Sequence, residues 1–237
     1  MPAARSPGTN PAPPVLIAIG GGGATHGTHP GLDRFCLRHL PPAPALGYVG
    51  TASGDDPGKL AGFRAGFAPH ARSIAVLPPS ADAGAARAWV DGLDMVYVGG
   101  GDPDRLVAHW RDRGIDRVLM AAARAGVVLA GVSAGAMCWF ERYLRRDAAG
   151  RLVTGAGLGL FPGAVTPHSL DEPDRRASLA GHVADGRLPD AWAIDDGAAL
   201  VIAGDGPACV FPAEGPPHVY RIARRAGGTT AETVLSA

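Results

Sequence analysis

The stretch Val127-Val-Leu-Ala-Gly-Val-Ser-Ala-Gly-Ala136 constrains this chain more than any other. Its apolar start reads as a buried strand, Gly131-x-Ser133-x-Gly135 follows, and a further apolar segment reads as a helix. A strand that turns so abruptly into a helix tolerates only small residues two places before and two after the serine, because larger side chains collide across the turn. The turn pushes the Ser133 hydroxyl out of the packed layer. It also leaves the first N–H groups of the helix unpaired beside that hydroxyl, where negative charge on a carbonyl oxygen is stabilised. With 35 glycines in the chain the five-residue pattern recurs readily by chance, so the strand before it and the helix after it carry the weight.

The rest of the chain supplies a setting for such an elbow. Short apolar runs at residues 15–19, 45–49, 73–77, 95–98 and 127–130 read as strands, with amphipathic stretches between most of them. That alternation predicts a parallel sheet covered by helices. Residues 104–113 and 116–125 have apolar positions at helical spacing, and Asp102, Pro103 and Asp104 form a good helix start. Runs at 198–203, 208–211 and 218–222, separated by Gly and Pro, read as hairpin-connected strands added to the sheet edge. The expectation is an α/β fold in three layers, a mostly parallel sheet flanked by helices with short antiparallel strands near the C-terminus. Residues 1–14, rich in Pro, Ala and Ser, read as a flexible tail, and 15–237 as a single domain.

Charge and cysteines narrow the function classes. Twenty-two basic and 22 acidic residues balance, and no basic stripe with interleaved aromatics appears, which argues against nucleic acid or an anionic membrane as partner. Cys36, Cys138 and Cys209 are widely spaced in apolar surroundings and read as reduced core residues of a cytoplasmic protein. No apolar run approaches the ~20 residues of a membrane span, and the first residues lack the hydrophobic stretch of a signal peptide. No His, Asp, Glu or Cys group has metal-ligand spacing, so neither metal nor cofactor is expected.

Ligands of open parallel sheets collect beyond the carboxyl ends of the strands, and three glycine clusters fall there: Gly20-Gly-Gly-Gly23, Gly99-Gly-Gly101 and the elbow. The first lacks the Lys-Ser/Thr of a phosphate-binding loop and the G-x-G-x-x-G spacing of a dinucleotide site. Ser133 needs a base. Of eight histidines, His26 and His29 lie in a glycine-rich loop, His39, His70 and His109 in surface helices or turns, and His182 and His218 in peripheral segments. His168 follows Pro167, which restrains the backbone beside the imidazole at the end of a short apolar run.

The phrases Val98-Gly-Gly-Gly101, Gly131-Val-Ser-Ala-Gly-Ala-Met-Cys-Trp-Phe-Glu141, Pro167-His168 and Ala193-Ile-Asp-Asp-Gly-Ala-Ala-Leu200 together resemble the dipeptidase E and cyanophycinase family of serine peptidases, in order and spacing along roughly residues 15–225. The resemblance implies a fold similar to class I glutamine amidotransferase domains, with serine in place of their cysteine, and a Ser–His–acid site. It places Ser133 as nucleophile, His168 as base, and the N–H groups of Gly101 and Ala134 as oxyanion hole. For the acid it points to Asp147, a little past the elbow helix. Glu141, read at that helix's end, and Asp171 and Glu172, close to His168, stay open as alternatives.

The best-known relatives take dipeptides with N-terminal aspartate, and another branch cleaves an Asp–Arg polymer. A carboxylate clamp is therefore expected, with Arg175 and Arg176 as its candidates. One departure weakens the aspartyl preference. The family has asparagine after its triple glycine, whereas Asp102 stands here, and a carboxylate facing the site would repel an acidic substrate and favour a free α-amino group. Two functions follow: an exopeptidase acting on small peptides, or a non-catalytic relative that binds a peptide or amino acid. An ordinary α/β-hydrolase esterase shares the elbow but places its histidine far down the chain, not about 35 residues on. The partner expected is a small peptide, with a homodimer left open.

Overall fold

The structure is a computed structural model that describes residues 13–204, 206–212 and 216–235. The proposed tail lies outside the described residues except for Pro13 and Pro14, which precede the first strand without regular structure. Seven strands make the larger sheet: β1 (Val15–Ile19), β2 (Ala45–Val49), β3 (Ser73–Val76), β4 (Met95–Val98), β5 (Val128–Val132), β10 (Ala199–Ala203) and β11 (Gly206–Phe211), in the order β11-β10-β1-β5-β4-β2-β3. From β1 to β3 every pairing is parallel, and β10 and β11 add antiparallel strands at one edge. Met95, Val96, Tyr97 and Val98 are all fully buried, as are Leu16, Ile17, Ala18 and Ile19. Burial on both faces is why these strands read as unbroken apolar runs rather than alternating ones.

Helices cover both faces. On one side α1 (Gly31–Leu37) and α2 (Pro57–Phe67) pack Leu32, Phe35, Phe63 and Phe67 against Ile17, Tyr48 and Tyr97. On the other, α3 (Ala83–Val90), α4 (Pro103–Arg113) and α5 (Ile115–Arg124) bury Val90, Leu106, Trp110 and Leu119. The start of α4 is chemically determined: Pro103 occupies its first turn, and the Asp102 carboxylate accepts the N–H groups of Asp104 at 2.8 Å and Arg105 at 3.1 Å.

The strands are divided between two sheets. The second has six: β6 (Phe140–Arg146), β7 (Leu152–Ala156), β8 (Phe161–Thr166), β9 (Ala191–Ile194), β12 (Val219–Arg225) and β13 (Thr229–Leu235), in the order β13-β12-β9-β8-β6-β7. Its centre, β6-β8-β9, is parallel, and the outer strands are antiparallel. One face receives Leu179 and Val183 of α7 (Pro173–Ala184). The other sends Phe140, Tyr143, Phe161 and Trp192 into the apolar cluster that also holds α3 to α5 and one face of the larger sheet. Each such buried aromatic contributes about 1.5–3 kcal/mol by leaving water, which holds the two sheets as neighbours. Among the described residues no helix is long and apolar enough to cross a membrane.

Candidate active site

β5 ends at Val132 and the following helix, α6 (Ala134–Met137), begins two residues later. Ser133 stands between them with φ 55° and ψ −115°, a region that L-residues occupy only when their surroundings impose it. The surroundings do so. The Ser133 N–H donates to the Ile19 carbonyl at 3.0 Å, and its own carbonyl accepts from Met137 N–H at 2.9 Å. A Cβ on Gly131 would sit 2.2 Å from the Gly135 carbonyl oxygen, and one on Gly135 2.0 Å from that of Val98. Only glycine fits at either place. The helix is a single turn, shorter than the apolar run 134–140 predicts. Phe140 already belongs to β6, so Glu141 sits on a strand, where its carboxylate accepts the Gly163 N–H at 2.9 Å instead of facing the elbow.

The loop after β8 carries His168, also at positive φ, 58°. Its Nε2 lies 2.9 Å from Ser133 Oγ and its Nδ1 2.6 Å from Asp196 Oδ1. Asp196 stands just beyond the carboxyl end of β9, and its second oxygen accepts the Asp171 N–H at 3.4 Å. Burial pushes its carboxyl up, but the hydrogen bond and charge of His168, with backbone N–H donors, outweigh burial and hold it below the ordinary carboxylate value. Gly21, in the first glycine cluster, forms a parallel bridge with Asp196, and its carbonyl accepts the Gly197 N–H at 2.9 Å. The neighbouring Asp195 is almost fully buried. It accepts the Ser169 hydroxyl at 2.5 Å and the His218 N–H at 2.9 Å, tying together the loops that carry His168 and Asp196.

Asp147 is not the acid beside His168. It sits in the turn between β6 and β7, where its carboxylate accepts the N–H groups of Ala149 and Arg151, each at 2.9 Å, and pairs with the Arg151 guanidinium at 2.8 Å. Those donors, first the Arg151 N–H and then its side chain, hold its carboxyl below the usual value. The reason is local: the residues after α6 form a hairpin, which turns Asp147 back on its own strand. Asp171 contributes a backbone N–H to Asp196. Glu172 accepts Arg175 at 2.9 Å and Arg146 at 2.6 Å, so neither alternative carboxylate meets the imidazole.

A cavity of about 440 Å³ opens in front of Ser133 and His168. Gly101, Asp102, Arg145, Arg146, Asp171, Glu172 and Arg175 line it. Arg175 is buried, with Nε unpartnered among the described residues. Arg176 faces away: its guanidinium lies 4.0 Å over the Tyr220 ring and 3.5 Å from Glu232, on β12 and β13. Asp102 lines the cavity, yet one of its carboxylate oxygens is occupied in capping α4. On the other side of the elbow His26 comes close to Gly100, and burial, followed by the charges of Lys59 and His168, holds its imidazole below the usual value.

Of the residues singled out in sequence, Ser133, His168, Gly101, Asp102, Asp147, Asp171, Glu172 and Arg175 all line this cavity, although Asp147 does not reach the imidazole. Ala134 follows Ser133 directly in the chain, and Glu141 and Arg176 lie outside the lining. Asp196 was missed. Its signal was present in Ala193-Ile-Asp-Asp-Gly, two carboxylates directly after an apolar run, which is where an open sheet gathers its ligands.

Fold and site thus define an α/β protein with a serine on a strained strand-to-helix turn, hydrogen-bonded to a histidine–aspartate pair. The model of peptidase family S51 matches residues 16–209, and the chain belongs to that family. It is 36% identical over 192 residues to the uncharacterized peptidase YgaJ of Bacillus subtilis (strain 168), covering 78% of this chain and 81% of that protein. The crystal structure of a peptidase from an acI-B1 Actinobacterium superposes with a TM-score of 0.70 at 20% identity, covering 96% of each chain. A candidate peptidase E from Listeria monocytogenes EGD-e gives 0.61 at 15% identity, covering 95% of this chain and all of that one. The family supports peptidase activity, and the two structures share the fold.

Proposed function

We propose that this peptidase is a serine exopeptidase that cleaves small peptides through Ser133, His168 and Asp196. One observation carries the reading: Ser133 Oγ, the His168 ring and the Asp196 carboxylate form an unbroken line of hydrogen bonds of 2.9 Å and 2.6 Å at the wall of a cavity. With Nδ1–H donated to the carboxylate, Nε2 is free to accept the serine proton. Ser133 then attacks the peptide carbonyl as its proton passes to Nε2. The oxyanion formed takes the N–H groups of Gly101 and Ala134, neither of which has an acceptor among the described residues. The imidazolium returns the proton to the leaving amine as the C–N bond breaks, leaving an ester on Ser133. Water, deprotonated by the same imidazole, releases the acid. Asp196 stays ionised throughout and stabilises the imidazolium.

A cavity of about 440 Å³ suits a peptide of a few residues at most. Arg175 at the cavity wall, although its guanidinium also pairs with Glu172, supports an N-terminal aspartyl side chain as the group bound there, while Asp171 on the same wall suits a free α-ammonium. A binding-only relative would have lost or displaced the acid beside its histidine, or have Asp102 spoil the oxyanion side. Asp196 at 2.6 Å from His168 speaks against the first, and the use of one Asp102 oxygen in capping α4 speaks against the second. The test is labelling by a fluorophosphonate probe together with a screen of Asp-X and X-Ala dipeptides. Labelling and turnover that both vanish in Ser133→Ala and His168→Ala support the reading. A folded protein that is not labelled near neutral pH and cleaves none of the dipeptides is a binder instead.

A further inference from the structure

The loop Gly99-Gly-Gly101 has no side chains of its own to hold its peptide planes, yet one of those planes carries a proposed oxyanion donor. Gly101 cannot be stiffened by a larger residue: its φ is 153°, and a Cβ there would lie 2.2 Å from the Ala52 carbonyl oxygen. Gly100 is less confined, since a Cβ on it would meet Ser133 Cβ and the Val132 carbonyl oxygen at 3.3 Å, a tight contact rather than a clash. A Gly–Gly peptide lacks the Cβ contacts that restrict rotation of other peptide units. Something outside the loop must fix it.

Lys59 does so from α2. Its Nζ donates to the Gly100 carbonyl oxygen at 2.9 Å, across 41 residues of sequence. The helix that presents it is anchored next to it, because the Asp56 carboxylate accepts the Lys59 N–H at 3.0 Å. Among the described residues no carboxylate lies within ion-pair distance of the ammonium. A half-buried lysine committed to one loop carbonyl, with no carboxylate partner, has more than an ordinary surface role. The carbonyl it grips and the Gly101 N–H belong to one planar trans peptide and point in opposite directions. Holding the oxygen toward α2 therefore turns the N–H away from α2, and Gly101 lines the cavity with Ser133 and His168.

We infer that Lys59 is a positioning residue whose ammonium holds the Gly100–Gly101 peptide so that the Gly101 N–H faces the substrate carbonyl at Ser133. The inference rests on the serine mechanism proposed above. A cation at the carbonyl end of the peptide also polarises it and strengthens the N–H as a donor. That help grows as charge develops on the substrate oxygen, so it acts on the transition state more than on the bound substrate.

The experiment compares wild type with K59M, K59Q and K59R in fluorophosphonate labelling, dipeptide kinetics and inhibition by a peptide aldehyde, which forms a tetrahedral adduct on the serine. The neutral variants should lose about 10- to 100-fold in kcat, somewhat less than deleting an oxyanion donor outright, with KM within about twofold. Aldehyde affinity should fall by the same factor as kcat/KM, K59R should recover part of the rate, and melting temperatures should stay close to wild type. An active wild type with either folded neutral variant at full kcat overturns the role of Lys59 and leaves the serine mechanism standing. A wild type that neither labels nor turns over substrate overturns both.

Discussion

Ser133 and His168 approach from different sheets, the serine from the end of β5 and the histidine from the loop after β8, and their side chains meet at 2.9 Å while both backbones hold positive φ, 55° and 58°. Strain thus sits at both ends of one hydrogen bond, and packing of two sheets against a shared apolar cluster maintains it.

If the Ser133 backbone is strained, removing its Cβ should stabilise the fold. Ser133→Gly is expected to gain about 1 kcal/mol and raise Tm by about 2–4 °C, with hydrolysis abolished. Ser133→Ala should lose hydrolysis without the gain in Tm. Differential scanning calorimetry of the two variants beside wild type reads the difference.

Asp196, not Asp147, is assigned to orient the imidazole. Asp196→Asn should lower kcat by about 10³- to 10⁴-fold, because an amide favours the wrong tautomer of His168. Asp147→Asn, which perturbs a turn, should stay within about threefold. Equal losses in steady-state dipeptide assays would show that the acid has been misassigned.

The same carboxylate links stability to pH. Its folded value lies below the ordinary one of about 3.9, so the unfolded chain binds the proton more readily than the folded chain. The resulting stabilisation is complete above about pH 4 and is lost as pH falls through the lowered folded value. Thermal scans between about pH 3 and 6 should therefore show a shallower acid-side loss of Tm for Asp196→Asn than for wild type. Identical slopes would mean that the carboxyl is unperturbed.

Arg175 and Arg176 are adjacent in sequence but face different surroundings. Arg175→Met should raise KM for Asp-X dipeptides at least about tenfold, with a smaller effect on neutral N-terminal residues. Arg176→Ala, which removes a contact with Tyr220, should leave both unchanged. An Arg175 variant that retains its preference for aspartate would move the carboxylate site elsewhere.

Much of the architecture was legible because two-sided burial writes itself as uninterrupted apolar residues. β1, β2 and β4 coincide with the runs at 15–19, 45–49 and 95–98, and α4 begins where Asp102 and Pro103 place it. The elbow was legible for a steric reason, since Gly131 and Gly135 can be nothing larger. β6 and β7 were hidden. Phe140–Arg146 mixes apolar and charged residues, and the run 134–140 before it conceals a one-turn helix followed at once by a strand. The acid was hidden for a related reason: proximity along the chain favoured Asp147, but a hairpin spends that carboxylate on Arg151.

The sequence by itself determined which hydroxyl is exposed, because a sharp turn between a buried strand and a helix depends only on the sizes of neighbouring side chains. Which carboxylate meets the histidine was decided only by the tertiary structure. Asp196 lies 28 residues from its partner, and only the parallel pairing of β8 with β9 brings the ends of those two strands side by side.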